Sequence, residues 1–212
     1  MNMCNVPERM TWILNALQGL VFWIGHRHSL YHHYHLAEGA LVAEACNLIQ
    51  ANLPTELILM PECMYKNLVG ARANMSGIGK RSRADLVVCA AAAKKIGREG
   101  NLAAFTKFVF EVKRGNASKQ SIEEDLLRLH SFLQVASAGT RGFLLVISEG
   151  HAPKMFVKAG NSIRGDHLIG GCSGYFGVRR TVKAAASFSG HGTAHYACLV
   201  EVFRKGQKRK EV

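Results

Sequence analysis

No stretch constrains this chain more than Lys107-Phe108-Val109-Phe110-Glu111-Val112-Lys113. Phe108, Val109 and Phe110 form an unbroken run of β-formers that Gly115 and Asn116 close, which predicts a short buried strand. By the two-residue period of a strand, Glu111 and Lys113 then share one face of the sheet, while Phe110 and Val112 share the other. A carboxylate and an ammonium at the end of a core strand need partners. Arg83-Ala84-Asp85-Leu86-Val87-Val88-Cys89 repeats the theme, with an acid at the mouth of an apolar strand. Two acids and a lysine on neighbouring strands can form a pocket for a divalent cation.

The flanking segments read as an α/β core. Residues 29–52 lack proline and place Leu36, Leu41, Ala45 and Leu48 at helical spacing, which predicts one long helix ended by Pro54. Glu38 and Glu44 both lie among its apolar positions, so one of them is expected to face inward. Leu57 to Met60 reads as a first strand, with Tyr65 to Val69 continuing or pairing with it, and Asp85 to Ala90 as a second. Between them, residues 70–83 carry Gly77, Gly79, Lys80, Arg81 and Arg83, a basic loop suited to nucleic-acid phosphates. Its Gly77-Ile78-Gly79-Lys80 lacks the spacing of a nucleotide-binding P-loop. Residues 118–137 form a strongly amphipathic helix with Ile122, Leu126, Leu129, Phe132 and Leu133 in one stripe. Gly142 to Ile147 is the next strand, and a strand, helix, strand connection implies that it lies parallel to the motif strand. Beyond Ser148 the pattern weakens: Met155 to Val157 reads as a short strand, 160–177 as glycine-rich loop, and Tyr196 to Phe203 as a last strand at the sheet edge.

Asp85 before an apolar run, then a second strand ending in Glu111-Val112-Lys113, resembles the PD-(D/E)XK, or restriction-endonuclease-like, nuclease superfamily. The proline of that pattern is absent, since Arg83-Ala84 precedes Asp85. The resemblance spans roughly residues 31–148. It implies a restriction-endonuclease-like core, a central mixed β-sheet flanked by helices, over residues 29–203, with a helical segment at 1–28 and a basic tail at 204–212. It also implies that Asp85, Glu111 and Lys113 are catalytic, and that Glu38 or Glu44 adds a further acid from the preceding helix. Gln120 falls where the superfamily sometimes carries a polar residue facing the site.

The residues alone support the same chemistry. Breaking a phosphodiester needs an activated water, stabilisation of the phosphorane charge and help for the leaving oxyanion, which Mg²⁺ can supply, with Mn²⁺ as a substitute. Mg²⁺ prefers hard oxygen ligands, so Asp85, Glu111 and the Val112 carbonyl are the expected set. Lys113 is expected to orient or help deprotonate the water and to steady negative charge. Lys80, Arg81, Arg83, Arg114, Lys119 and Gln120 are the expected phosphate contacts. A structural ion pair is the plain alternative for the acids and lysine. His26, His28, His32, His33 and His35 read as an exposed basic face rather than a zinc site, without a His-Glu-x-x-His motif. His191 and His195, flanking a glycine-rich loop, carry no functional signal.

The formal net charge of +12 favours an anionic partner. The six cysteines lack any Cys-x-x-Cys pair, which points to a reducing, cytoplasmic setting without structural zinc. Trp12 to Ile24 is too short an apolar run to span a bilayer, and no signal-peptide pattern accompanies it. The leading expectation is a Mg²⁺-dependent DNA endonuclease of restriction, phage-defence or repair context, acting on duplex DNA, with a homodimer as a possible assembly. The alternatives are a nucleic-acid-binding module that does not cut and a protein-interaction subunit.

Overall fold

The computed structural model describes residues 10–31, 34–70, 78–97, 99–184 and 194–204. In chain order these form α1 (Thr11–Tyr31), α2 (Glu38–Asn52), β1 (Leu57–Met64), β2 (Arg83–Ala90), β3 (Thr106–Arg114), α3 (Lys119–Val135) and β4 (Arg141–Ser148). Three short strands follow, β5 (Val157–Lys158), β6 (Asn161–Ser162) and β7 (His167–Leu168), then β8 (Tyr175–Lys183) and β9 (Tyr196–Phe203). Seven strands make one mixed sheet in the order β1-β2-β3-β4-β9-β8-β7. β3 and β4 are parallel, as the α3 crossover requires, and the other neighbours are antiparallel.

The sheet is covered on both faces, so its central strands read as continuous apolar runs. On one face α3 lays Ile122, Leu126, Leu129, Phe132 and Leu133 against Val109, Leu144 and Val200. On the other, α1 and α2 pack Ile13, Leu17, Leu20, Leu41 and Ile49 against Leu86, Phe110, Phe143 and Leu199. Ser118 caps α3 by accepting a hydrogen bond from the Ser121 N–H. No helix among the described residues is long and apolar enough to cross a membrane.

Four expectations change. Residues 29–52 are not one helix, because α1 ends at Tyr31 and α2 begins at Glu38. The cause is tertiary: Leu36 is buried and its N–H donates to Glu149 Oε2 at 3.0 Å, so it is not free to continue a helical ladder. Tyr65–Leu68 is a 3₁₀ turn, not strand, and it buries Tyr65 completely. The supposed loop of residues 160–177 contains β6 and β7 and leads into β8. Finally, β9 is not an edge strand but lies between β4 and β8, with every residue buried. The core strands and α3 otherwise fall within a few residues of their expected bounds. Residues 71–77, His32, His33, His191 and the tail from residue 205 lie outside the described residues.

Candidate active site

β2 and β3 pair antiparallel with Leu86 opposite Phe110, so the next pair along the ladder brings Asp85 beside Glu111. Glu111 is on the α3 face of the sheet with Val109, whereas Phe110 and Val112 face α1 and α2. Asp85 Oδ2 accepts the Val112 N–H at 2.7 Å, and its carboxyl also stands within hydrogen-bonding reach of Glu111. Val112 thus meets the acids through its N–H. Glu111 is 2 % exposed, and its Oε1 accepts from the Tyr65 hydroxyl at 2.6 Å and from Arg128 Nη1 at 3.1 Å.

The motif lysine bridges two helices. Lys113 Nζ lies 3.1 Å from Asp125 Oδ2 on α3 and 3.2 Å from Glu38 Oε1 on α2. Glu38 Oε2 also accepts the Arg114 N–H at 3.4 Å. Arg128 Nη1 contacts Asp125 Oδ1 at 2.9 Å, one turn away on α3. The cluster thus gathers the carboxyls of Glu38, Asp85, Glu111 and Asp125 around the cations Lys113 and Arg128.

That imbalance has an electrostatic consequence. Burial, reinforced by the neighbouring Asp85 charge, pushes the Glu111 carboxyl up to about 8. Burial raises Asp85 as well, against the Val112 hydrogen bond. Burial alone would lower the Lys113 amine, but Asp125 and Glu38 outweigh it and hold the group above its ordinary value. Two adjoining carboxyls that resist ionisation together provide the hard, anionic donor set that a divalent cation favours. Among the described residues no three His, Cys, Asp or Glu side chains already converge on a metal position. Asp85 and Glu111 would therefore hold Mg²⁺ with water completing its shell, and Glu38 is committed to Lys113 and the Arg114 N–H.

Of the expected acids, Asp85 meets Glu111 and Glu38 meets Lys113, and Asp125 and Arg128 link the two pairs. Glu44, further along α2, makes no ion pair with the cluster among the described residues. Lys80, Arg81 and Arg83 are exposed at the mouth of β2. Lys119 and Gln120 turn along their own helix, Lys119 to Glu123 at 3.6 Å and Gln120 to Glu124 at 3.0 Å, so the contribution of α3 comes from Asp125 and Arg128 instead. Those two residues and Tyr65 were missed. Asp125 had a signal, because an acid with Ile122 and Leu129 at helical spacing lies on the apolar stripe. Tyr65 had none, since its ring reaches Glu111 only through the 3₁₀ turn.

Of the histidines, His26 and His35 are exposed as expected, and His28 is only half-buried. His28 packs its ring 4.6 Å from that of His195, which is completely buried. Burial, reinforced by His28, lowers His195 to about 4. No protein-family model matches the chain, and neither a curated protein nor a solved structure matches it.

Proposed function

We propose that the protein is a divalent-metal-dependent phosphodiester hydrolase of the PD-(D/E)XK type, acting on DNA in the cytoplasm. The observation that carries this reading is the Asp85–Glu111 carboxyl pair, with Lys113 two residues on in the same strand and joined to the pair through Asp125 and Arg128. The succession α2, β1, β2, β3, α3, β4, with the acids on β2 and β3, supports it further. A Mg²⁺ ion held by Asp85 and Glu111 would supply an acidified water and offset the phosphorane charge.

The protein's own groups have separable tasks. Lys113, fixed between Asp125 and Glu38, stays cationic at neutral pH, so it orients the attacking water and stabilises the anionic transition state rather than accepting a proton. Tyr65 and Arg128 both hold Glu111 Oε1 and so set the plane of that carboxyl. The exposed Lys80, Arg81 and Arg83, in a chain of net charge +12, bind backbone phosphates ahead of Asp85.

A module that binds without cutting is the second reading, favoured by Arg128, whose guanidinium already offsets Glu111 and Asp125. Plasmid incubated with protein, with and without Mg²⁺ or Mn²⁺, separates the two. Metal-dependent nicking that disappears in Asp85→Ala and Lys113→Ala supports the hydrolase, and salt-sensitive binding with no nicking supports the module.

A further inference from the structure

Two hollows meet just beyond Lys113, where β3 leaves the sheet. The first, a cavity of about 120 Å³, is lined by Arg114, Asn116, His35, His151 and Glu149. The buried Glu149 carboxyl is met by its own partners, the Leu36 N–H at 3.0 Å, His35 Nδ1 at 3.8 Å and Arg27 Nη1 at 3.9 Å. The Arg114 guanidinium has no ion-pair partner among the described residues. The second hollow is a groove of about 610 Å³ between the start of α3 and residues 151–156. Ala152 and Met155 give it a partly exposed apolar lining over the buried Ile122 and Phe156, and Lys154 and the Glu123-paired Lys119 stand at its side.

Gly115 and His151 line both hollows, so the two adjoin at the end of the β3–β4 pair. The junction is rigidly built. Gly115 N–H donates to the Ile147 carbonyl at 2.7 Å, and a Cβ on Gly115 would overlap the Ser148 side chain. His151 Nδ1 lies 2.9 Å from the Glu149 carbonyl oxygen, which can only accept. Nδ1 therefore carries a proton.

A recess that offers the Arg114 guanidinium, beside a groove with partly exposed apolar side chains, matches the two halves of a nucleotide, an anionic phosphate and a flat, largely apolar base. The groove lies within the range of about 300–1,000 Å³ typical of small-ligand sites. A base enters such a groove only when it is out of a duplex stack. We propose that the two hollows form one nucleotide subsite, taking a phosphate against Arg114 and an unpaired base over Ala152 and Met155, so that the preferred substrate carries a single-stranded nucleotide beside the bond to be cut. This rests on the nucleic-acid reading of the adjoining acidic cluster and narrows it from duplex DNA to frayed or tailed ends.

The test is fluorescence anisotropy with full-length protein in chelator-containing buffer, using a blunt duplex and the same duplex with a short single-stranded tail. The wild type is expected to bind the tailed duplex about tenfold more tightly, the scale of stacking one base. Ala152→Trp, which fills the groove, and Arg114→Ala, which strips the phosphate recess, are expected to bring the ratio of the two affinities close to unity. Thermal unfolding checks that both variants are folded. Equal affinities in the wild type overturn the proposal without reference to any variant. A preference that survives in both folded variants overturns it too, as does a protein dimer that Ala152→Trp dissociates, since the groove would then belong to a second copy. Tail preference without metal-dependent cutting would retire the hydrolase reading and keep the subsite, whereas cutting without tail preference would retire the subsite alone.

Discussion

Two groups of buried charges occupy opposite faces and opposite ends of the β3–β4 pair. At the start of β4, on the α1 face, Glu201 receives Arg141 Nε on one oxygen and Arg179 Nε on the other, each at 2.7 Å. Met10 and the ring of Phe143 close over Arg141. At the far end, on the α3 face and reaching round to Glu38 on α2, the carboxyls of Glu38, Asp85, Glu111 and Asp125 outnumber Lys113 and Arg128. In the first group each carboxylate oxygen has its own guanidinium. In the second, protonation has to hold adjoining carboxyls together, as the upward displacement of Glu111 to about 8 records. Burial of charge alone therefore does not separate the two groups; unbalanced burial of acid does.

The contrast is sharpest in activity. Asp85→Asn and Glu111→Gln should each lower metal-dependent plasmid nicking by about 10²- to 10³-fold. The same measurement on Glu201→Gln should give nearly wild-type nicking, and a comparable loss there would erase the distinction. In stability the order reverses. Glu201→Ala leaves two buried guanidiniums without their acid and should cost about 3–5 kcal/mol in urea unfolding, whereas Glu111→Gln should not destabilise the protein at pH 8.

The pH response separates the groups further. Between the ordinary value of 4.5 and its folded value of about 8, Glu111 holds a proton that the unfolded chain releases, so its contribution to stability falls as pH rises through that window. Glu111→Gln should flatten this slope. Mg²⁺ should raise the midpoint of thermal unfolding more at pH 8 than at pH 5, and equal shifts at the two pH values would sink the assignment of Asp85 and Glu111 as its seat. The smallest effect is expected from Glu44→Gln, within about 0.5 kcal/mol of wild type in unfolding and unchanged in nicking.

Sequence periodicity located β2, β3, α3 and β4 because each buries a regular apolar pattern that its own residues spell out. It failed where a distant partner decides the matter. Helix 29–52 is interrupted because Glu149 captures the Leu36 N–H. Strand β8 is disguised by Arg179 and Arg180 in the middle of Tyr-Phe-Gly-Val-Arg-Arg-Thr-Val-Lys, and the half-buried Arg179 is paired there with Glu201 on the next strand. The continuous apolar run of β9 is that of an interior strand, and reading it as an edge overlooked the β8 that covers its far side. At the site, Asp85, Glu111 and Lys113 were legible because charges stand out in apolar strands. Asp125 and Arg128 were overlooked because charges on a helix are ordinary.

Lys113 leaves β3 where both helical layers end, and its one ammonium touches Glu38 from the α1–α2 side and Asp125 from the α3 side. The lysine thus acts as a clasp across the rim of the sandwich, so its alignment depends on both halves being docked at once. Loosening of α2 would slacken the lysine while leaving Asp85 and Glu111 in register on their strands, and reactivity would be lost before the fold is.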